Sequence, residues 1–193
     1  MGDTSNVWRI DADGSNPTQL TREKPGGMPI CSPDGKWLLY WNDDERALYR
    51  LPVDGGSAEK LNLPNMGNPF LRISPDSKSV IYASENPKGA EKPYLFSIVD
   101  LAKGSVQTQF QSVPGIGMTV PQWNPEGHGF YLNLTRQGTA NVWKMESPAG
   151  EVKQVTNFSS GLIASYVWSP DGKNLYVARG NKSSDVILVR SAK

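Results

Sequence analysis

An all-β chain built from repeated four-stranded sheets is predicted by three features of the sequence. A turn phrase recurs as "SPDGK" at Ser32, "SPDSK" at Ser74, "NPEGH" at Asn124 and "SPDGK" at Ser169, with separations of 42, 50 and 45 residues. Each copy is followed by an apolar run: "WLLYW", "SVIYA", "GFYLNL" and "NLYVA". The composition, with 19 Gly, 15 Pro, 6 Trp, 7 Tyr and 5 Phe, suits short strands joined by tight turns. Four strands per unit at this period read as the blades of a β-propeller.

The elements of one unit follow in order. A short first strand ends in an apolar residue before the turn: Cys31, Ile73, Trp123 and Trp168. In the turn, Pro33 presets φ, Asp34 bonds the backbone nearby and Gly35 accepts positive φ without a Cβ clash. The phrase is therefore read as punctuation. The second strand is the apolar run itself. Sandwiched between neighbouring blades, it buries both faces and loses the alternation of a half-buried strand. A third strand carries a large residue in register: Trp8, Tyr49, Phe96, Trp143 and Ile187. The first four form a column assigned to the interblade core. A Gly-bearing turn follows ("DADGSN", "VDGGSA", "LAKGSV", "SPAGEV"), and a polar fourth strand closes the unit ("TQLT", "EKLN", "QTQF", "KQVT").

In this register the chain opens on a third and a fourth strand. The predicted division is a partial blade at 1–27, blades at 28–66, 67–115 and 116–160, and a last blade at 161–193 lacking its outer strand. These four to five blade positions are expected to form an incomplete arc of a larger ring. Such an arc leaves open edges, through which self-association is expected unless a partner covers them. "MGDTSNVWRI" reads as the middle of a repeat and lacks the basic-then-apolar pattern of a secretion signal, so any targeting segment is expected upstream.

Charge and cysteine content exclude several classes. Twenty basic against 19 acidic residues give +1 with no basic block, so no electrostatic footprint for nucleic acid exists. No apolar run reaches the roughly 20 residues that span a bilayer. The single Cys31 excludes an internal disulfide.

The turn phrases, with "VWRIDADGSNPTQLT" at 7–21, resemble the TolB-like, or WD-like, β-propeller repeat family, and the resemblance covers nearly the whole chain. Ser77 in place of the turn Gly, His128 in place of Lys, and extra residues around "ENPKGAEKP" depart from the pattern. The resemblance implies a binding platform. TolB is a periplasmic partner of cell-envelope proteins, and similar propellers sense for bacterial kinases and regulators or cap prolyl-oligopeptidase-type peptidases. "WSPDGKNLYVARGNKSSDVILVR" is similar to the C-terminal end of the kinase- and regulator-linked propellers.

Motifs for chemistry are sparse. No "GxSxG" elbow or phosphate-cradling "GxxxxGK[ST]" occurs, and the only histidine, His128, lies in a turn. "DADG" at 11–14 has Arg22 where a calcium loop needs its closing Glu, so it reads as a hairpin turn. Asp43, Asp44 and Glu45 read as a solvated loop. No catalytic residue, cofactor or metal ligand is assigned. The candidate binding residues are those leading into each innermost strand at one mouth of the channel: Met28, Asn68, Met118, Thr119 and Ala164. Three functional expectations follow. The first is a non-catalytic module for a protein or peptide partner, extracytoplasmic and part of a larger bacterial protein. The second is the substrate gate of a peptidase, and the third is a cation- or glycan-binding propeller.

Overall fold

The computed structural model describes residues 5–64, 66, 70–85, 94–116, 120–169 and 171–181, and its regular elements there are all strands. β1 (Trp8–Arg9) and β2 (Thr18–Gln19) form a two-stranded sheet. β3 (Gly27–Cys31), β4 (Trp37–Asn42), β5 (Ala47–Pro52) and β6 (Glu59–Leu61) form a four-stranded meander. So do β7 (Leu71–Ile73), β8 (Ser79–Glu85), β9 (Tyr94–Asp100) and β10 (Ser105–Gln111). β11 (Gln122–Trp123), β12 (Phe130–Arg136), β13 (Thr139–Met145) and β14 (Val152–Gln154) make the third meander. β15 (Leu162–Trp168) and β16 (Leu175–Gly180) pair last. The strand expected at "DVILV" lies outside the described residues.

The turn phrase is built as its residues dictate. Ser32 Oγ donates to Asp34 Oδ1 at 2.6 Å and accepts the Trp37 N–H, while Asp34 Oδ1 accepts the Lys36 N–H. The same three bonds recur from Ser74 and from Ser169. In "NPEGH" the Asn124 carboxamide does both jobs, its Oδ1 accepting the N–H groups of His128 at 3.0 Å and Gly129 at 3.1 Å. Ser77 takes φ 61°, close to the 70°, 75° and 68° of Gly35, Gly127 and Gly172, so the turn survives loss of its glycine. Its hydroxyl compensates by accepting the Asp34 N–H of the preceding turn at 3.1 Å.

The apolar runs are double-faced because each blade has two neighbours. On β8, Val80 and Tyr82 pack against Leu39, Trp41 and Leu48, whereas Ile81 and Ala83 pack against Phe130, Leu132 and Leu134. On β4, Leu38 and Tyr40 meet Val7 and Leu20, and Leu39 and Trp41 face the other way. Tyr40, Tyr82, Phe96 and Phe130 are fully enclosed, each contributing on the order of 2–3 kcal/mol through apolar burial.

The ends of the arc depart from the predicted burial. β16 alternates instead of burying both faces: Leu175 and Val177 pack against β12–β13 while Tyr176 is 61% exposed. No described blade covers its far side. The aromatic column is likewise not uniformly core. Tyr49 and Phe96 are buried and Trp143 is half-buried, but Trp8 is 57% exposed, because the segment packs on β3–β6 through Val7 and Leu20, which flank β1 and β2, while both residues of β1 stay exposed.

Candidate functional site

The innermost strands line up around an axis. Trp123 Nε1 on β11 donates to the Arg72 carbonyl on β7 at 3.3 Å, and Gln122 Nε2 donates to the Tyr166 carbonyl on β15 at 2.8 Å. Side chain and backbone thus stitch successive inner strands together. Tyr166 also donates its hydroxyl to the Tyr131 carbonyl, and burial pushes its titration up.

Met28 and Ala164 occupy the same kind of position, at a bulge. Between Gly27 and Ile30, β3 carries one residue more than β4, and between Ile163 and Ser165, β15 carries one more than β16. Pro29 supplies the local reason on β3, since it has no N–H for the ladder. The expectation of loops leading into these strands is corrected: both residues lie inside strands. Met28 has φ 53° and is 58% exposed, and Ala164 is exposed. Asn68, Met118 and Thr119 lie outside the described residues.

Three of the acidic groups near the loops, Glu45, Asp13 and Asp11, are already engaged. Glu45 accepts from Lys24, from Lys60 Nζ at 2.8 Å and from the Tyr49 hydroxyl at 2.6 Å. The Lys24 bond, then those of Lys60 and Tyr49, hold its carboxyl down at about 2. Asp13 accepts the N–H and hydroxyl of Ser15, and Asp11 accepts from Asn16, which is hairpin-turn chemistry.

Two of the depressions among the described residues involve fourth strands, β2 and β14. One, of about 500 Å³, runs between β1–β2 and the first meander, with Thr21, Lys24, Tyr40 and Asp54 in its walls. Its Tyr40 hydroxyl, raised to about 12 by burial, donates to the Lys24 carbonyl at 3.0 Å. The second, of about 630 Å³, lies at the β12–β13 hairpin and includes Arg136 and Trp143. Assigning Trp143 to the core overlooks this cleft. The available signal is period two on β13, where Thr139, Asn141 and Trp143 share one face, so polar residues stand beside the aromatic one.

No family profile matches the chain. It is 26% identical over 186 residues to the uncharacterized peptidase YuxL of Bacillus subtilis, covering 94% of this chain and 26% of that protein. Its fold matches TolB from Acinetobacter baumannii with a TM-score of 0.70 at 23% identity, covering 93% of this chain and 44% of TolB. It also matches the β-propeller domain of the trilobed protease from Pyrococcus furiosus, with a TM-score of 0.55 at 15% identity over 92% of this chain and 60% of that one. The fold is a TolB-like β-propeller. The chain spans less than half the length of the curated relatives it matches.

Proposed function

We propose that this chain is the non-catalytic, protein- or peptide-binding part of a larger bacterial protein that works outside the cytoplasm. The observation that carries this reading is Met28, an exposed apolar side chain held in the left-handed region at a bulge of an innermost strand. A non-glycine residue costs on the order of 1 kcal/mol in that conformation, and such strain concentrates where a backbone serves a ligand. Methionine there offers an adaptable apolar contact. The likeness to TolB supports the extracytoplasmic setting, which fractionation of the full-length protein tests. The non-catalytic part of the reading rests on the absence from the sequence of a nucleophile elbow and of any histidine besides His128. Turnover of fluorogenic peptides by the purified chain would end that part of the reading.

The binding test uses Cys31, the sole cysteine, which is exposed on the same strand as Met28. An environment-sensitive fluorophore on Cys31 is titrated with extended peptides of varied sequence. Saturable signals that weaken in Met28→Ser support the site, and signals indifferent to that change refute it.

A second reading, the substrate gate of a peptidase, is favoured by the similarity to YuxL along 94% of this chain while occupying 26% of that protein. It requires a hydrolase domain in the full-length protein. Met28→Trp should then narrow the size range of peptides cleaved, whereas a sensing propeller has no cleavage to alter.

A further inference from the structure

We propose that the cleft at the β12–β13 hairpin is a binding site for an organic carboxylate. Arg136 ends β12, and its guanidinium carbon sits 4.1 Å from the centre of the Trp143 ring. Seating a guanidinium on a ring uses its face and leaves the in-plane N–H fork to meet a planar anion. Among the described residues no carboxylate forms an ion pair with Arg136, and no acidic side chain is among those lining the cleft.

The other polar groups of the cleft sort into spent and unspent. The Asn141 carboxamide is occupied on both sides, donating to the Phe158 carbonyl and accepting from the Phe158 N–H and the Thr156 hydroxyl. Gln154 donates to the Thr156 carbonyl at 2.7 Å. The indole Nε1 of Trp143, by contrast, is buried and has no hydrogen-bond partner among the described residues. A buried donor without an acceptor is costly, and an acceptor that reaches it by displacing the side chains covering it offsets that cost. An unspent donor beside a cation selects an anion. The fork of Arg136 selects a flat, two-oxygen one.

Aromatic walls add the organic part. Phe158 lines the cleft beside Asn141, which bonds its backbone, and its ring is held by Arg179, whose guanidinium carbon lies 3.9 Å from the ring centre. Trp143 and Phe158 together offer apolar surface to whatever carries the carboxylate. Two sources share this chemistry: a small free acid and a peptide carboxylate.

The test follows the indole N–H signal of Trp143 by ¹⁵N-labelled NMR, assigned through its loss in Trp143→Phe. The probes are sodium acetate, acetyl-Ala-Ala-Phe with a free C-terminus, and the same peptide as its C-terminal amide. The free-acid peptide should move the signal saturably, the amide should not, and Arg136→Gln should weaken binding on the order of tenfold, as expected for one lost charge-assisted contact. Acetate acting as strongly as the peptide identifies a small acid as ligand, and a tighter peptide identifies the peptide. Were Arg136→Gln unfolded, Arg136→Lys keeps the charge without the fork and should also weaken binding. A stationary indole signal with both carboxylates, equal response to the amide, or unchanged affinity in whichever Arg136 variant folds overturns the proposal.

Discussion

The strands β4 and β16 follow the same five residues, "SPDGK", yet they live in different surroundings. β4 is buried from Leu38 to Asn42, whereas β16 buries no residue completely and exposes Tyr176. A second pair sharpens the contrast. "NVWRI" on β1 and "NVWKM" on β13 share one hydrogen-bond pattern: Val7 N–H to Thr21 Oγ1 at 2.9 Å, and Val142 N–H to Thr156 Oγ1 at 2.9 Å. Both threonine hydroxyls then donate to an asparagine, Asn6 or Asn141. Yet Trp8 is exposed and Trp143 forms the wall of a cleft. Local sequence sets the hydrogen bonds of a blade, while the neighbouring blade sets what its side chains experience.

The largest expected effect lies in burial. Leu39→Ala should cost about 2–5 kcal/mol, since Leu39 is fully enclosed between two blades, and Tyr176→Ala should stay within about 0.5 kcal/mol. Urea melts of the two variants check this, and comparable losses would break the contrast between covered and open blades. Tyr176→Lys should also lower any self-association seen by light scattering, because it charges the open face.

Next comes the turn. Asn124→Ala deprives two backbone N–H groups of their acceptor and should cost about 2 kcal/mol. Ser169→Ala, at the exposed end, should cost less, as water replaces the lost hydroxyl. Thermal melts rank the pair.

The threonine pair tests whether local bonding is independent of position. Thr21→Val and Thr156→Val remove equivalent acceptors and should each cost about 1 kcal/mol. A clear difference would show that the blade environment reaches into the backbone network.

Acid provides the smallest effect. Glu45 is held at about 2 from an ordinary 4.5, so its contribution is present above about pH 4.5 and is lost as pH falls toward about 2. Asp34, Asp76 and Asp171 are also lowered, chiefly by the hydroxyls of Ser32, Ser74 and Ser169, and act in the same direction below pH 3.8. Glu45→Gln should flatten the fall of stability across that acid window, as followed by circular dichroism.

Much of the architecture is legible in the sequence because its causes are local. Pro33, Asp34 and Gly35 specify a turn from their own covalent chemistry, and Ser77 keeps it by borrowing one bond from the adjacent turn. The candidate site is less legible. Met28 and Ala164 stand out in sequence, but the bulges that define their positions depend on pairing with β4 and β16. Arg136 looks like an ordinary residue ahead of a hairpin. Its relation to Trp143 exists only because antiparallel pairing folds β12 back along β13.

The sequence by itself determined the strand order, the turn positions and the meander of each blade, since these follow from backbone preferences over a few residues. Only the tertiary structure decided which apolar faces are covered, where the inner strands bulge and which donors remain without acceptors. Those outcomes depend on contacts between segments far apart in the chain, and no short stretch contains both sides of such a contact.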